Sequence, residues 1–445
     1  MPASYITIIR VSIKELAELD LSTVEQVILL ISSFPETKAS INRVKLSEVA
    51  GYIENECKFA IFSYIGLLSA IPKYKEAQLN TALYDHILSG PGRLNLISSY
   101  KAPPVHSYSV DEPISAVLTV PDLFDNTLFR VYLKNWEAFV YQITRRLLNT
   151  EGVEAIQIWQ IDRPSRHRHH LIRPTALDQA ALIIPHKGNP LFLQRCFQPL
   201  RKNELLPAHT MVCFDDRNYL KLCADDLLSS STKVSLYRNS PANSGPYQAR
   251  HAAMGLLGQN YIFFQDSDDI SLPNRFALQM NALKERKLDL IGSHELRIDE
   301  LEKKILVVRF PLDVNASMEK YAFHPLFHPT SLITKEAYER VGGFSTDLRF
   351  GYDSQFLLRA FFFLRIGNID EILYVRFRRK GSLTTHHKTR IGSSLRSFLI
   401  WRWKIDFRLV LKNKLTIEES SLNVSRSRYP FRLIHLSFDD CRVSP

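Results

Sequence analysis

YIFFQDSDDISLPNRF, residues 261–276, runs four aromatic and aliphatic side chains directly into three carboxylates, Asp266, Asp268 and Asp269. The apolar run predicts a short buried strand, and Pro273 soon after blocks its simple continuation. Three like charges at the end of a buried strand repel one another where water screens them least. A solvated turn leading into a helix cap accounts for Asp and Ser in such places. The cluster alone supports no more than that, and the rest of the chain decides the matter.

Working outward, ALIIP (181–185) predicts a strand, followed by the turn HKGNP and a helical LFLQRCFQPL. HTMVCFDD (209–216) predicts a second strand that ends in two carboxylates, and KVSLYRN (233–239) a third. SGPYQARHAAMGLL (244–257) reads as a helix opened by Ser and Gly. Strands alternating with helices, with polar residues just past the strand ends, describe an open parallel α/β sheet. Ligands of such sheets bind at the carboxyl ends of the strands. Asp215, Asp216, Asp266 and Asp268 are therefore expected along one edge.

In this order, ALIIPHKGN, FDDRN, NSGPYQARHAAMGLLGQNYIFFQDSDD, FHPTSLITKEAYERVGGF and GYDSQFLLRA resemble the blocks of family-2 glycosyltransferases. The resemblance covers residues 181 to about 385. It implies the nucleotide-sugar-binding GT-A fold and an inverting transfer of a sugar from a nucleotide donor, with uridine as the base. It also implies a divalent cation, Mn²⁺ or Mg²⁺, held by Asp268 with Asp266, the latter contacting either the ribose or the metal. A hard cation held by carboxylates suits this chemistry, since it neutralises the charge that grows on the diphosphate as the sugar leaves. Asp269 is expected to cap a helix. By the same resemblance, Asp215 or Asp216 accepts a hydrogen bond from the base, and Arg250 lies near the base or diphosphate. Asp353, just before the apolar QFLLRAFFFL, stands where the family carries the general base that deprotonates the acceptor hydroxyl. His328 reads as either an acceptor-pocket residue or a structural histidine. Arg379 and Lys380 stand where the family often has a histidine, and a guanidinium there is able to clamp a diphosphate. The pair Gly342-Gly343 fits a tight turn needing positive φ.

The chain has 445 residues, 45% of them hydrophobic and 23% charged, which predicts a globular protein of two or three domains. Residues 1–175 read as a mainly helical region, from apolar periodicity in KELAEL, STVEQVILLISSF and KLSEVAGYIENECKFAIF. The apolar run FAIFSYIGLLSAI (59–71) is too short to span a bilayer and reads as a core helix. RPSRHRHHLIRP (163–174) reads as a basic linker. The glycosyltransferase domain is expected over 180–385 and a basic, aromatic extension over 386–445. Five cysteines form no metal-binding spacing, and the opening residues carry no secretory signal pattern, so a cytoplasmic location is expected. From Arg376 onward, 16 Lys and Arg face 5 Asp and Glu, which accounts for the whole net charge of +11.

Within that tail, residues 392–414 interleave cations with Trp and Phe, the composition of helices lying on the inner face of a membrane. Apolar residues at nearly every helical angle fit a helix packed on the catalytic domain instead. The expected partners are a nucleotide-sugar donor and a glycan or lipid-linked acceptor. No motif for specific nucleic-acid recognition is present. A nucleotidyltransferase or a non-catalytic sugar-nucleotide scaffold are the competing classes. The first calls for a glycine-rich phosphate loop, which HKGNP resembles poorly, and the second for loss of Asp268 or Asp353.

Overall fold

The computed structural model describes strands between residues 5 and 161, five helical positions between 141 and 148, and residues 177–437 apart from 202–204, 217–232 and 273. The chain divides into two compact units. The first is residues 1–102, 112–167 and 302–307; the second is residues 103–111, 168–301 and 308–445.

In the N-terminal part the strands are β1 (Tyr5–Ser12), β2 (Val27–Ser32), β3 (Ser40–Lys45), β4 (Cys57–Phe62), β5 (Leu94–Ser99), β6 (Val110–Pro113), β7 (Ser115–Thr119) and β8 (Ile156–Ile161). Seven of them form one sheet in the order β3-β1-β2-β4-β7-β5-β8. Two of the segments expected to be helical therefore contain strands. VILLIS of STVEQVILLISSF is β2, and CKFAIF, whose last four residues open the expected core helix at 59–71, is β4. A short continuous apolar run satisfies a helical and a buried-strand pattern alike, and pairing with neighbours decides between them. β2 lies between β1 and β4, a central place that suits its β-branched residues. KELAEL and the linker at 163–174 lie outside the described residues.

The second unit is built on β9 (Ala180–His186), β10 (His209–Phe214), β11 (Lys233–Ser240) and β12 (Tyr261–Phe264). These four run parallel in the order β11-β10-β9-β12. The sheet as a whole is mixed. Further strands are β13 (Ile270–Ser271), β14 (Leu290–Asp299), β16 (Leu332–Thr334), β17 (Ile366–Arg378) and β18 (Arg432–Leu436), while β15 (Lys304–Arg309) has most of its residues in the first unit. β16 joins antiparallel beyond β12 and leads to β14, β17 and β13, and β18 closes the far edge antiparallel to β11. The helices are α1 (Pro190–Arg201), α2 (Pro246–Leu256), α3 (Arg275–Glu285), α4 (Val314–Lys320), α5 (Lys335–Arg340), α6 (Tyr352–Ala360) and α7 (Ser394–Leu411).

β9 is buried along its whole length, as expected of a strand covered on both faces. Its Ala181 and Ile183 face a core that includes Met254 of α2, Phe356 of α6, and Trp403 and Phe407 of α7. Leu182 and Ile184 face the opposite core, with Phe197 of α1 and Met280 of α3. The basic extension is thus part of this unit: α7 buries Trp403 and Phe407, and β18 extends the sheet. Among the described residues, no helix is long and apolar enough to cross a membrane.

Candidate active site at the carboxyl edge of the sheet

The ends of β9, β10 and β12 lie side by side because these strands are parallel neighbours, and they deliver His186, Asp215–Asp216 and Asp266–Asp269 to one edge. The expected convergence is observed, with a division of labour that the sequence does not reveal. Asp215 is 5% exposed, and its carboxylate is turned into the loop that follows β11. Its Oδ1 accepts from Asn239 Nδ2 at 2.7 Å and the Ser244 amide at 2.8 Å, and its Oδ2 accepts from the Gly245 amide at 3.0 Å. Gly245 has φ 93° and a Cβ there would meet Arg349, so glycine is what lets the loop close on this carboxylate. Asp216 is more exposed, and its Oδ2 accepts the Gly188 amide at 2.7 Å.

The three carboxylates after β12 bring one oxygen each within 4.8 Å of one another. Asp266 Oδ1 accepts from Arg250 of α2 at 2.5 Å. Asp268 Oδ2 accepts from both Nε and Nη2 of Arg379, each at 2.8 Å. Asp269 is buried and caps no helix, contrary to expectation. Its Oδ1 accepts the Phe377 amide at 2.9 Å, and so it fastens the acidic loop to the end of β17. The N-cap of α3 is Asn274, five residues on. Burial pushes the Asp266 carboxyl above the usual range against the pull of Arg250. Asp269 is pushed well above it by burial and by its two acidic neighbours. A hard-oxygen donor set under this charge strain fits a divalent cation, with Asp266 and Asp268 as the residues facing outward.

Asp353 occupies the first turn of α6, whose N-cap is Gly351, so it is not itself the cap. Its Oδ1 accepts the Tyr247 hydroxyl at 2.9 Å. Burial pushes this carboxyl up, but His324, Arg396, His328 and the Tyr247 hydroxyl outweigh it and bring the pKa down to about 2. Asp353 is therefore ionised at neutral pH and able to accept a proton. His328 is buried between Phe264 and Phe344, with ring centroids 4.6 and 5.0 Å away, and its Nε2 has no hydrogen-bond partner. Burial and the nearby Arg250 hold its pKa well below the usual value, so it sits neutral beside the site. Gly342 and Gly343 have φ 82° and 71°, as their turn requires.

Sequence reasoning missed Tyr247 and Arg396. Tyr247 lies three residues before Arg250 in the first turn of α2, and that spacing is the signal that places both on one helix face. Arg396 comes from α7, far along the chain, and no local pattern announces it.

Residues 181–345 match the family model described as Glycosyl transferase family 2. Among solved structures, Staphylococcus aureus TarS residues 1–349 in complex with UDP-GlcNAc is similar at 15% identity and TM-score 0.39, over 54% of this chain and 77% of that one. S. aureus TarS itself matches at 15% identity and TM-score 0.38, over 55% of this chain and 40% of that one. These distant likenesses carry no argument about donor or acceptor. No curated protein sequence matches the chain. The segment that matches Glycosyl transferase family 2, residues 181–345, is the one that carries β9, β10 and β12 and the carboxylate edge at their ends.

Proposed function

We propose that the protein is a metal-dependent inverting glycosyltransferase that moves a sugar, a hexose by resemblance, from a UDP donor to a hydroxyl of a glycan or lipid-linked acceptor. Synthesis of a polysaccharide or glycoconjugate is the corresponding role. The observation that carries this reading is the pairing of two charge systems at one sheet edge. Asp266 and Asp268 sit against Arg250 and Arg379, and an ionised Asp353 is held by Tyr247.

A divalent cation held by Asp268 and Asp266 would supply positive charge to the leaving diphosphate. The residues of the chain do the rest. Arg379 is bonded to Asp268; when the diphosphate arrives, its fork of donors is placed to turn to phosphate oxygens. Asp216, at the mouth of the edge, is better placed than Asp215 to accept from the base, because three scaffold donors already occupy Asp215. Arg250 favours the ionised form of Asp266 against the opposing effect of burial. Asp353 takes the proton of the acceptor hydroxyl as that oxygen attacks the anomeric carbon from the face opposite the diphosphate. The nucleotide's negative charge raises the proton affinity of Asp353, which makes it a better base in the loaded site than in the free protein. His328, neutral and buried between two phenyl rings with an unpartnered Nε2, is the remaining candidate for a hydrogen bond to an acceptor.

The nucleotidyltransferase alternative fares worse. The Gly188 amide that would have to cradle a phosphate is committed to the Asp216 carboxylate, which repels one. The test is calorimetry of UDP binding with Mn²⁺ or Mg²⁺ to the full chain and to Asp268→Ala. The variant should keep its circular dichroism spectrum and lose the metal-dependent part of the affinity. Equal affinity in both proteins would remove Asp268 from the metal site.

A further inference from the structure

We infer that the outward face of α7 and the loop before it form a docking surface for an anionic lipid bilayer. This goes beyond the proposed transfer reaction and does not depend on it.

α7 buries only one side. Arg396, Trp403, Asp406 and Phe407 are buried, and at 100° per residue they fall within one arc of the helix. The opposite arc carries Phe398 and Trp401, exposed Leu395 lies at the border of the buried arc, and Ile391 precedes them in the loop. Phe398 and Trp401 are each 57% exposed and Ile391 is 70% exposed. The rings of Phe398 and Trp401 lie with centroids 6.0 Å apart, so they form one continuous apolar knob and not two scattered residues. An aromatic of this size left in water beside a helix that already has a buried side is the informative kind of exposure.

The charge around the knob selects the partner. Lys388, Arg390, Arg402, Arg408, Lys412 and Lys414 are all exposed between residues 380 and 414, and the one acid of that stretch, Asp406, is buried. A protein partner or a second copy of this chain would cover an apolar knob best with an apolar socket, and the cations around it, of which Arg402 alone is paired with Asp406, would then repel the copy. Anionic lipid satisfies both features at once. Trp and Phe settle at the headgroup boundary, and Lys and Arg are drawn to the negative surface. A nucleic acid would satisfy the cations, but a duplex offers no place for the knob.

The experiment is co-sedimentation of the full-length protein with phosphatidylcholine vesicles, with and without phosphatidylglycerol, at low and physiological salt. The wild type should sediment with the anionic vesicles and much less with pure phosphatidylcholine, and salt should weaken the binding. Each surface cation contributes about five-fold to partitioning, so Arg408→Gln/Lys412→Gln/Lys414→Gln should lower it on the order of a hundred-fold. Phe398→Ser/Trp401→Ser should abolish the residual binding that survives in salt, and both variants should keep the wild-type circular dichroism spectrum because the changed residues are exposed. The inference is overturned by any of four results: no binding to anionic vesicles at low salt, equal binding to both vesicle types, unchanged binding by the variants, or binding to duplex DNA that needs the cations in the absence of vesicle binding. Sedimentation velocity showing that Phe398→Ser/Trp401→Ser converts a dimer to a monomer would assign the face to a second copy instead. None of these readouts uses transferase activity, so they separate this inference from the assignment of the active site.

Discussion

Replacing Arg250 with Met tests how the acidic edge is held together. Met keeps much of the length and flexibility of the side chain while removing the guanidinium that bonds Asp266 at 2.5 Å. The Arg250 side chain is 4% exposed and that of Asp266 38%, so the pair is buried on one side only. Breaking a fully buried pair costs about 3–5 kcal/mol, and breaking a surface pair about 0–1. Screening on the Asp266 side places this one near 2 kcal/mol. With a slope of about 2 kcal/mol per molar urea, the midpoint should fall by about 1 M. Two further signatures distinguish this cause from general damage. The Asp266 carboxyl is already raised by burial, and losing Arg250 raises it further, so the native variant binds more protons than its unfolded chain. Its stability must then fall as pH rises, and the deficit should be largest near pH 8 and shrink toward pH 5. Added Mg²⁺ should restore part of the loss at pH 8, because a cation on Asp266 and Asp268 replaces the missing charge. Urea unfolding followed by circular dichroism, at both pH values with EDTA or Mg²⁺, measures all three. A deficit of the same size at pH 5 and pH 8, untouched by Mg²⁺, would refute the account.

Asp353→Asn should reduce sugar transfer by about 10²–10⁴-fold while UDP affinity in calorimetry stays unchanged; transfer at the wild-type rate would move the base elsewhere. Tyr247→Phe removes a hydrogen bond to a charged acceptor, worth about 1.5–3 kcal/mol, so the acid limb of the rate profile should move up by about 1–2 pH units with donor KM unaffected. An acid limb that stays in place means the hydroxyl has no hold on the proposed base. The His251 imidazole, hydrogen-bonded to the Tyr338 hydroxyl, is lowered to about 4 by burial and by Arg426. Because the unfolded ring binds its proton at higher pH than the folded one, its contribution is complete above about pH 6.5 and lost as pH falls toward 4. His251→Gln should therefore flatten the stability profile in that window by up to about 1.4 kcal/mol per pH unit, and an unchanged slope would contradict the neutral buried ring.

The catalytic unit was legible because its strands announce themselves twice. ALIIP, HTMVCF and YIFF are apolar runs of strand length, and each is followed by polar residues that mark its carboxyl end. The positions of Asp215 and Asp266 followed from that punctuation, and that of Asp353 from the resemblance of its block to the family-2 glycosyltransferases. Their partners did not, because hydrogen bonds between residues about 100 apart leave no local trace. Tyr247 reaches Asp353 across 106 positions, Asp269 reaches Phe377 across 108, and Arg379 reaches Asp268 across 111. The same limit explains the helical reading of VILLIS. Five consecutive apolar residues, Val27 to Ile31, carry no period of their own, and only pairing with β1 and β4 makes them a strand. Residues 392–414 show the reverse case. Apolar residues at every angle looked like a fully packed helix, yet one arc is buried and the other carries an exposed aromatic pair among cations.

The segment Ser244–Arg250 explains why these distant groups cooperate. Its first two amides hold Asp215, Tyr247 in the first turn of the helix holds Asp353, and Arg250 three residues later holds Asp266. Seven residues thus fix three carboxylates that arrive from β10, α6 and β12. A helix is stiff over so short a length, so the distance between the proposed metal carboxylates and the proposed base is set by α2 and not by the flexible ends of three separate elements. In an inverting displacement the base must stand on one face of the anomeric carbon and the diphosphate on the other, and an error of about 1 Å there costs on the order of 10²-fold in rate. The loop that opens α2 is where that precision is anchored. Gly245 has no room for a side chain against Arg349 and adopts a φ that other residues avoid, so any substitution there displaces Tyr247 and Arg250 together. Damage at Gly245 should consequently appear at both poles of the site at once, in UDP affinity and in transfer, whereas Asp353→Asn affects transfer alone.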